Sequence, residues 1–155
     1  VGLADRVRRL CCILFHALLG SSFTMRTLND ISTHDHICLL VDTFYGKVRV
    51  DPLLGGIFND VIQDRWPEHL AKMYRFWGTV LINEGSYSGV PFRPHAGLPV
   101  SEEHFARWLT HFHATVNELF IGPVADLAHM NAERMAEMFM MRIDRLRKDP
   151  RTFIQ

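Results

Sequence analysis

A single histidine, His95, stands in a proline-rich stretch whose two flanks have helical patterns. Residues 87–99 read YSGVPFRPHAGLP, and Pro91 and Pro94 come just before the histidine. Proline fixes a backbone dihedral, so the chain is stiff where the imidazole projects. A long irregular segment is uncommon in a compact helical domain and tends to be functional, which favours a metal ligand over a merely stiffened connection.

The chain shows no ligand pattern of a zinc site. It has nine histidines, but no CxxC or HExxH motif and no nearby carboxylate cluster. A structural zinc takes four nitrogen or sulfur ligands from the protein. A metal with one strong protein ligand needs others from elsewhere, and haem supplies four pyrrole nitrogens and leaves a sixth position open. Six further histidines are interpreted as surface or half-buried residues: His34, His36, His104, His111, His113 and His129.

Three polar-tipped side chains fall on otherwise apolar helical faces. Tyr45 lies in the first predicted helix, His69 in the second and Trp108 in the third. Each can donate a hydrogen bond to a small ligand held at a metal, although His69 alone is more typical of a satisfied core or surface histidine. Apolar residues that would form the walls of such a pocket also have a plain core reading: Phe44, Phe58, Met73, Phe76, Trp77, Phe105 and Phe112.

Helical spacing of apolar residues predicts an all-α chain with four main helices. The first is expected over about residues 33–50, after a capping-box-like pair formed by Ser32 and Asp35. The segment DPLLGG (51–56) breaks it, and residues 57–59 are expected to form a short turn or helix. The predicted buried side of the first helix is Ile37, Leu40, Val41, Phe44, Tyr45 and Val48.

Three more helices follow along the chain. The second has Pro67 in its first turn, where the missing N–H is not needed, and ends at Gly85. Ser101 caps the third helix. A Gly-Pro pair at 122–123 starts the fourth, which runs to about residue 147. Its predicted inward face is Leu127, Met130, Met135, Met138, Phe139 and Ile143.

Composition limits the class of protein. The 155 residues are 48% hydrophobic and 22% charged, which predicts one domain with a real core. Lys+Arg and Asp+Glu are both 17, which argues against a nucleic-acid surface built on bulk positive charge, and no run is long enough to span a membrane. Three cysteines do not make a disulfide framework, so a reducing cytoplasm is expected.

The first 25 residues read as an extension of uncertain status ahead of a domain over 26–155. Three arginines between residues 6 and 9 precede the apolar run LCCILFHALLG (10–20). Three readings stay open for this segment: a dispensable extension, an extra helix, or a weak signal peptide.

Five segments, in this order and spacing, resemble the group III truncated haemoglobins. They are FYGKVR (44–49), LLGGIFN (53–59), WPEHLAKMYRFW (66–77), Y-S-G-x-P…H-x-x-L-P (87–99) and FARWL (105–109). The resemblance covers about residues 33–147. It implies a two-over-two α-helical sandwich, a shortened globin whose proximal helix is reduced largely to a loop. It also implies haem b as the cofactor.

The resemblance also implies roles for individual residues. His95 matches the proximal iron ligand, His69 the distal histidine, Tyr45 the distal tyrosine and Trp108 the buried distal tryptophan. Phe58 matches an aromatic residue packed on the haem face. Lys72 and Arg93 are expected near the haem propionates by position and charge. Phe44, Met73 and Phe76 are expected to contact the haem.

Three functions remain open. The first is reversible binding of a diatomic ligand, O₂, NO or CO, as a sensor, store or scavenger. The second is a haem enzyme that reduces peroxide or converts nitric oxide to nitrate with an unidentified electron donor. The third is a helical interaction module without haem.

Overall fold

The computed structural model of the chain describes residues 28–149, which contain five α-helices and no strand beyond an isolated bridge between Asn29 and Phe120. The helices are α1 (His34–Val50), α2 (Gly55–Ile62), α3 (Trp66–Ile82), α4 (Glu102–Leu119) and α5 (Pro123–Lys148), and a 3₁₀ turn spans Arg93–His95. The all-α prediction is confirmed. The extension before residue 28 lies outside the described residues. Within them, no helix is both long and apolar enough to cross a membrane.

Helix α1 has the predicted buried face but a different cap. Thr33 is the N-cap, and its hydroxyl accepts from the His36 N–H at 3.2 Å. Ser32 lies one residue too early, and its own N–H donates to His36 Nδ1 at 3.2 Å. The predicted Ser32–Asp35 capping pair is therefore wrong. The buried residues are those expected from the spacing: Ile37, Leu40, Val41, Phe44, Tyr45 and Val48.

The short element expected over residues 57–59 is a helix of eight residues, α2, which already begins at Gly55 within DPLLGG. Asp51 Oδ1 accepts from the N–H groups of Leu53 and Leu54, at 2.8 and 3.0 Å, and so ties down the chain just ahead of the helix. Gly55 is required by a close approach, since a Cβ there would lie 2.7 Å from the Arg49 carbonyl oxygen. This contact packs the start of α2 against the end of α1.

Helix α3 ends two residues earlier than the position of Gly85 suggested. Asn83 adopts the left-handed conformation, with φ of 56°, and its N–H donates a hydrogen bond to the Gly78 carbonyl. Asparagine tolerates this conformation better than most residues, so it terminates the helix. Pro67 stands in the first turn, as predicted.

Of the predicted inward face of α5, Phe139 and Ile143 are buried, and Leu127, Met135 and Met138 are partly buried against the core. Small residues dominate its inner face, and Met130 is 38% exposed. The buried residues are Ala125, Ala128, Ala132, Ala136, Phe139 and Ile143. Alanines let the backbone of α5 approach its neighbours closely, so the methionines are displaced towards the edges of the face.

The helices pack as a two-over-two sandwich. Helix α1 contacts α3 and α4, and α5 contacts α4 and α3. The main core lies between these layers, around Phe44 and Phe112. A smaller cluster of Phe92, Phe139 and Ile143 lies under the irregular segment between α3 and α4. The segment that carries His95 is therefore packed on α5.

Candidate functional site

A cavity of about 420 Å³ opens between the helices and the irregular segment. This volume lies in the range of small-molecule and cofactor sites. Helices α2 and α3 and the segment before α4 contribute most of the wall. Residues that line it include Leu54, Ile57, Phe58, Met73, Phe76, Trp77, Leu98, Val100, Phe105, Met135, Ala136 and Phe139.

His95 lies on this cavity with one ring nitrogen already used. Its Nδ1 is 2.8 Å from the Pro91 carbonyl oxygen. A carbonyl only accepts, so Nδ1 carries the proton and Nε2 keeps its lone pair. Burial lowers the pKa of His95, which keeps the ring neutral at pH 7, and the ring lies 4.8 Å from that of Phe139. Its Nε2 is thus in the state that binds a metal.

His69 lines the same cavity, but its hydrogen bonding differs from that of His95. Its Nε2 is buried and makes no hydrogen bond within residues 28–149. Burial, and then the positive charges of His95 and Lys72, lower the pKa of His69 to about 4, so the ring is neutral at pH 7. An unpaired buried polar atom costs about 1–3 kcal/mol, which marks the position as one where a ligand is expected.

Tyr45 and Trp108 complete the polar part of the cavity wall. The Tyr45 ring meets His69 edge to face, with centroids 5.0 Å apart. Burial raises the pKa of the Tyr45 phenol, so it stays protonated and can donate. Trp108 is stacked on Phe112 at 5.3 Å and meets the edge of Phe44 at 5.2 Å. The neighbouring aromatics therefore fix the direction of its indole N–H.

The predicted site residues do not all reach the cavity. Phe58, Lys72, Met73 and Phe76 line it. Phe44 is fully buried behind Tyr45 and Trp108, and it is absent from the lining. Trp77 and Phe105 line it as well, whereas Phe112 lies in the core. Arg93 is exposed in the turn beside His95 and is not part of the lining. A role for Phe44 or Arg93 towards the cofactor stays a prediction.

The sequence analysis did not predict several residues that line the cavity. Ile57 and Val61 lie on α2, which the sequence did not establish as a helix. Arg65 and Glu68 share the cavity side of α3 with His69 and Lys72, and the spacing of three and four residues would have found them. His104 also lines the cavity, although its sequence position near a helix start is typical of a surface residue.

The donor set fits an iron porphyrin. No group of three or more His, Cys, Asp or Glu side chains within residues 28–149 is placed to hold a metal ion. His95 Nε2 is a single imidazole donor on a largely apolar cavity, so the other ligands of a metal there must come with the cofactor. The unpaired Nε2 of His69 supplies a polar group for a further small ligand.

Comparison with known proteins agrees with this geometry. The model of the bacterial-like globin family matches residues 27–144. A group 3 truncated hemoglobin, ctb, of Campylobacter jejuni is 36% identical over 109 residues, which are 68% of this chain and 86% of that protein. The crystal structure of the group III truncated hemoglobin from Campylobacter jejuni superposes with a TM-score of 0.70 at 32% identity, over 76% of this chain and 95% of that one. The globin family implies haem binding, and this chain belongs to that family as a group III truncated haemoglobin.

Proposed function

We propose that the protein holds haem b through Nε2 of His95 and reversibly binds a diatomic ligand, with O₂ as the first candidate. One observation carries the proposal. A neutral imidazole with a bare Nε2 shares a largely apolar cavity with a second neutral imidazole whose Nε2 is buried and unpaired. The first supplies a metal ligand, and the second supplies a partner for whatever binds there.

His95 is oriented by the chain before any cofactor binds. The bond from Nδ1 to the Pro91 carbonyl fixes the tautomer and the plane of the ring. Such a bond to the ring of a metal-bound histidine also raises the basicity of the ligand nitrogen. Phe139 packs on the ring and limits its rotation.

Haem, when bound, supplies an iron with one open axial position for a diatomic ligand. The chain contributes hydrogen-bond donors on that side. Tyr45 and Trp108 are neutral donors held by aromatic neighbours, and His69 is neutral at pH 7. Each hydrogen bond to the ligand is worth about 1 kcal/mol, and about 1.4 kcal/mol is a tenfold change in affinity.

The surrounding wall is suited to a flat apolar cofactor with an acidic edge. Phe58, Met73 and Phe76 exclude water from the cavity. Lys72 lines the cavity and carries a positive charge for a propionate. We also assign Arg93 to a propionate, from its exposed position two residues before His95.

Haemin titration tests the proposal. The wild-type chain should bind haemin stoichiometrically and develop a strong Soret band, and His69→Ala should retain it. His95→Ala should lose the five-coordinate spectrum, and added imidazole should restore it. His113→Ala is the control, because His113 pairs with His129 between α4 and α5 and does not line the cavity. A chain that bound no haemin would be a helical interaction module, and the proposal would fail.

The polar distal set also supports a second candidate, peroxide reduction or nitric oxide dioxygenation. Tyr45, His69 and Trp108 are donors of the kind that polarise a peroxide as well as retain O₂. Both activities need an electron donor, which the chain does not identify. Slow O₂ dissociation without turnover favours the first candidate. Steady consumption of peroxide or nitric oxide under a supplied reductant favours the second.

A further inference from the structure

We propose that His104 binds a haem propionate, donating a hydrogen bond from its Nε2 to the carboxylate. This inference rests on the proposed haem binding. Five polar residues of the cavity, Tyr45, His69, Lys72, His95 and Trp108, already have roles there. The polar residues that remain in the wall are Arg65, Glu68, Tyr87 and His104.

The tautomer of His104 is set by the start of its own helix. The Ser101 N–H lies 3.1 Å from His104 Nδ1, and the Ser101 hydroxyl lies 2.8 Å from the same atom. A backbone N–H only donates, so Nδ1 must accept. A neutral ring that accepts at Nδ1 carries its proton at Nε2. His104 is thus a fixed N–H donor.

The Nε2 of His104 has no hydrogen-bond partner within residues 28–149. Both recorded bonds of the ring use Nδ1, and Nε2 is not among the buried unpaired atoms of residues 28–149. His104 is half-buried and lines the cavity. Its Nε2–H is therefore accessible to a ligand and already held in one orientation by the cap.

Among the polar residues that line the cavity, hydrogen-bond donors outnumber carboxylates. Glu68 is the one anionic side chain among the lining residues of the described chain. Arg65 already donates to the Val61 carbonyl at 2.7 Å. Lys72 on α3 and His104 on α4 remain as donors from two different helices. Two donors on separate helices match a cofactor that carries two propionates.

The competing explanation is that His104 only caps α4. The chain contains a matched control for it. His36 makes a similar bond at the start of α1, where its Nδ1 lies 3.2 Å from the N–H of Ser32, the residue before the N-cap, but it does not line the cavity. Replacing His36 therefore removes a similar cap without touching the cofactor site.

Haem release separates the two roles. Rates are measured for the wild type, His104→Phe, His104→Glu and His36→Phe, each loaded with haemin and with haemin dimethyl ester. Glutamate at this position preserves the capping box but cannot donate and repels a carboxylate. We expect both His104 variants to release haemin about tenfold faster and the dimethyl ester at the wild-type rate. His36→Phe should release both porphyrins at the wild-type rate.

Two results would overturn the assignment. One is an equal acceleration for haemin and its ester, which would mean that His104 acts through packing or the cap. The other is an unchanged haemin release rate in His104→Glu, which would mean that no carboxylate lies near it. A wild-type chain that bound neither porphyrin would instead overturn the proposed function.

Discussion

At the scale of single residues, the two imidazoles that line the cavity, His95 and His69, differ in their hydrogen bonds. The Nδ1–H of His95 donates a hydrogen bond to the Pro91 carbonyl, which leaves Nε2 without a proton. No group within residues 28–149 takes up Nε2 of His69, although that atom is buried. The local hydrogen bonds thus leave the two histidines in different states, and these states support the proposed roles of His95 as a metal ligand and of His69 as a partner for a bound molecule.

The distal donors give a prediction at the same scale. O₂ gains partial negative charge on binding and accepts hydrogen bonds, whereas CO stays nearly neutral. Tyr45→Phe removes the hydroxyl and keeps the ring against His69. We expect O₂ to dissociate about tenfold faster, equivalent to about 1.4 kcal/mol, with a much smaller change for CO. Stopped-flow dissociation of both ligands measures this.

Trp108 is the second hydrogen-bond donor to which the same prediction applies, and the two donors can be tested together. Trp108→Phe should also accelerate O₂ dissociation, but a smaller ring beside Phe44 and Phe112 leaves space for water. The two effects should not add in the double variant, because both donors serve one acceptor. Equal effects on O₂ and CO would show that the residues act by size, and the hydrogen-bond role would be wrong.

The sequence revealed some of these residues and hid others for physical reasons. His95 was recognisable because prolines and an irregular segment isolate it, and its backbone acceptor was not, since Pro91 offers only a carbonyl. His104 was hidden because its cap bond and its cavity position depend on how α4 is placed. Phe44 was placed on the wall because spacing shows a buried face but not which residue lies in front.

At the scale of elements, α5 holds the segment that carries His95. Phe92 packs on Phe139, with ring centroids 5.4 Å apart. Arg147, near the end of α5, donates from one guanidinium nitrogen to the carbonyls of Leu98 and Val100, at 3.3 and 2.7 Å. The segment is thus fixed on both sides of the 3₁₀ turn that contains His95.

Arg147→Gln should therefore loosen the proximal side. The two bonds are exposed, so their joint loss should amount to about 1 kcal/mol, or about a fivefold faster haem release. Arg145→Gln is the control, because it removes the same charge from the same exposed turn without a recorded bond to this segment. Equal rates for Arg147→Gln and Arg145→Gln would mean that apolar packing alone holds the segment.

The sequence predicted a helix well where one apolar face dominates. It predicted a helix poorly where a local contact determines the structure. The face of α1 follows its spacing residue by residue. Helix α2 was uncertain because two glycines at its start indicate a break. The hydrogen bonds that Asp51 accepts order the chain ahead of this helix, and they cannot be seen in the sequence. The inner face of α5 was predicted in part. Phe139 and Ile143 are buried as expected, but alanines rather than methionines occupy most of the buried positions, because close packing favours the small side chain.

At the scale of the whole molecule, Asn29 and Asp30 connect the N-terminal end of the described chain to the start of α5. Asp30 accepts from the N–H groups of Val124 and Ala125, both at 2.9 Å, and so caps α5 from the other end of the chain. The Ile121 N–H donates to the Asn29 carbonyl beside it. The chain from Asn29 onward is therefore part of the fold.

Two truncations test this boundary. A chain that starts at Met25 should bind haem as the full chain does, because every described residue that lines the cavity lies at or beyond Tyr45. A chain that starts at Ser32 loses the Asp30 cap and the buried side chain of Ile31, so it should be less stable by about 3 kcal/mol or more. Haem affinity and urea unfolding measure the two effects. Weaker haem binding by the chain that starts at Met25 would show that the extension packs on the site.

Asp51 connects the chain ahead of α2 to helix α4 through four hydrogen bonds. Its side chain is 3% exposed. Besides the N–H groups of Leu53 and Leu54, it meets His111 Nε2 at 2.7 Å and Arg107 Nη1 at 3.3 Å. Burial raises the pKa of Asp51, but these bonds and the Arg107 charge outweigh it and lower the pKa to about 2 from the ordinary 3.8.

This pKa sets a pH window for stability. A carboxyl whose pKa is lower in the folded chain contributes its stabilisation above the unfolded pKa, and the contribution is lost as pH falls from 3.8 towards 2. The size is about 2 kcal/mol. Asp51→Asn should therefore lower the free energy of unfolding by about that amount at pH 7 and pH 5, and the difference should shrink below pH 4. Urea unfolding across this range measures it, with Asp144→Asn on the exposed side of α5 as the control. A difference between wild type and Asp51→Asn that did not change with pH would mean that Asp51 stabilises the fold through its shape and neutral hydrogen bonds, and that its charge contributes nothing.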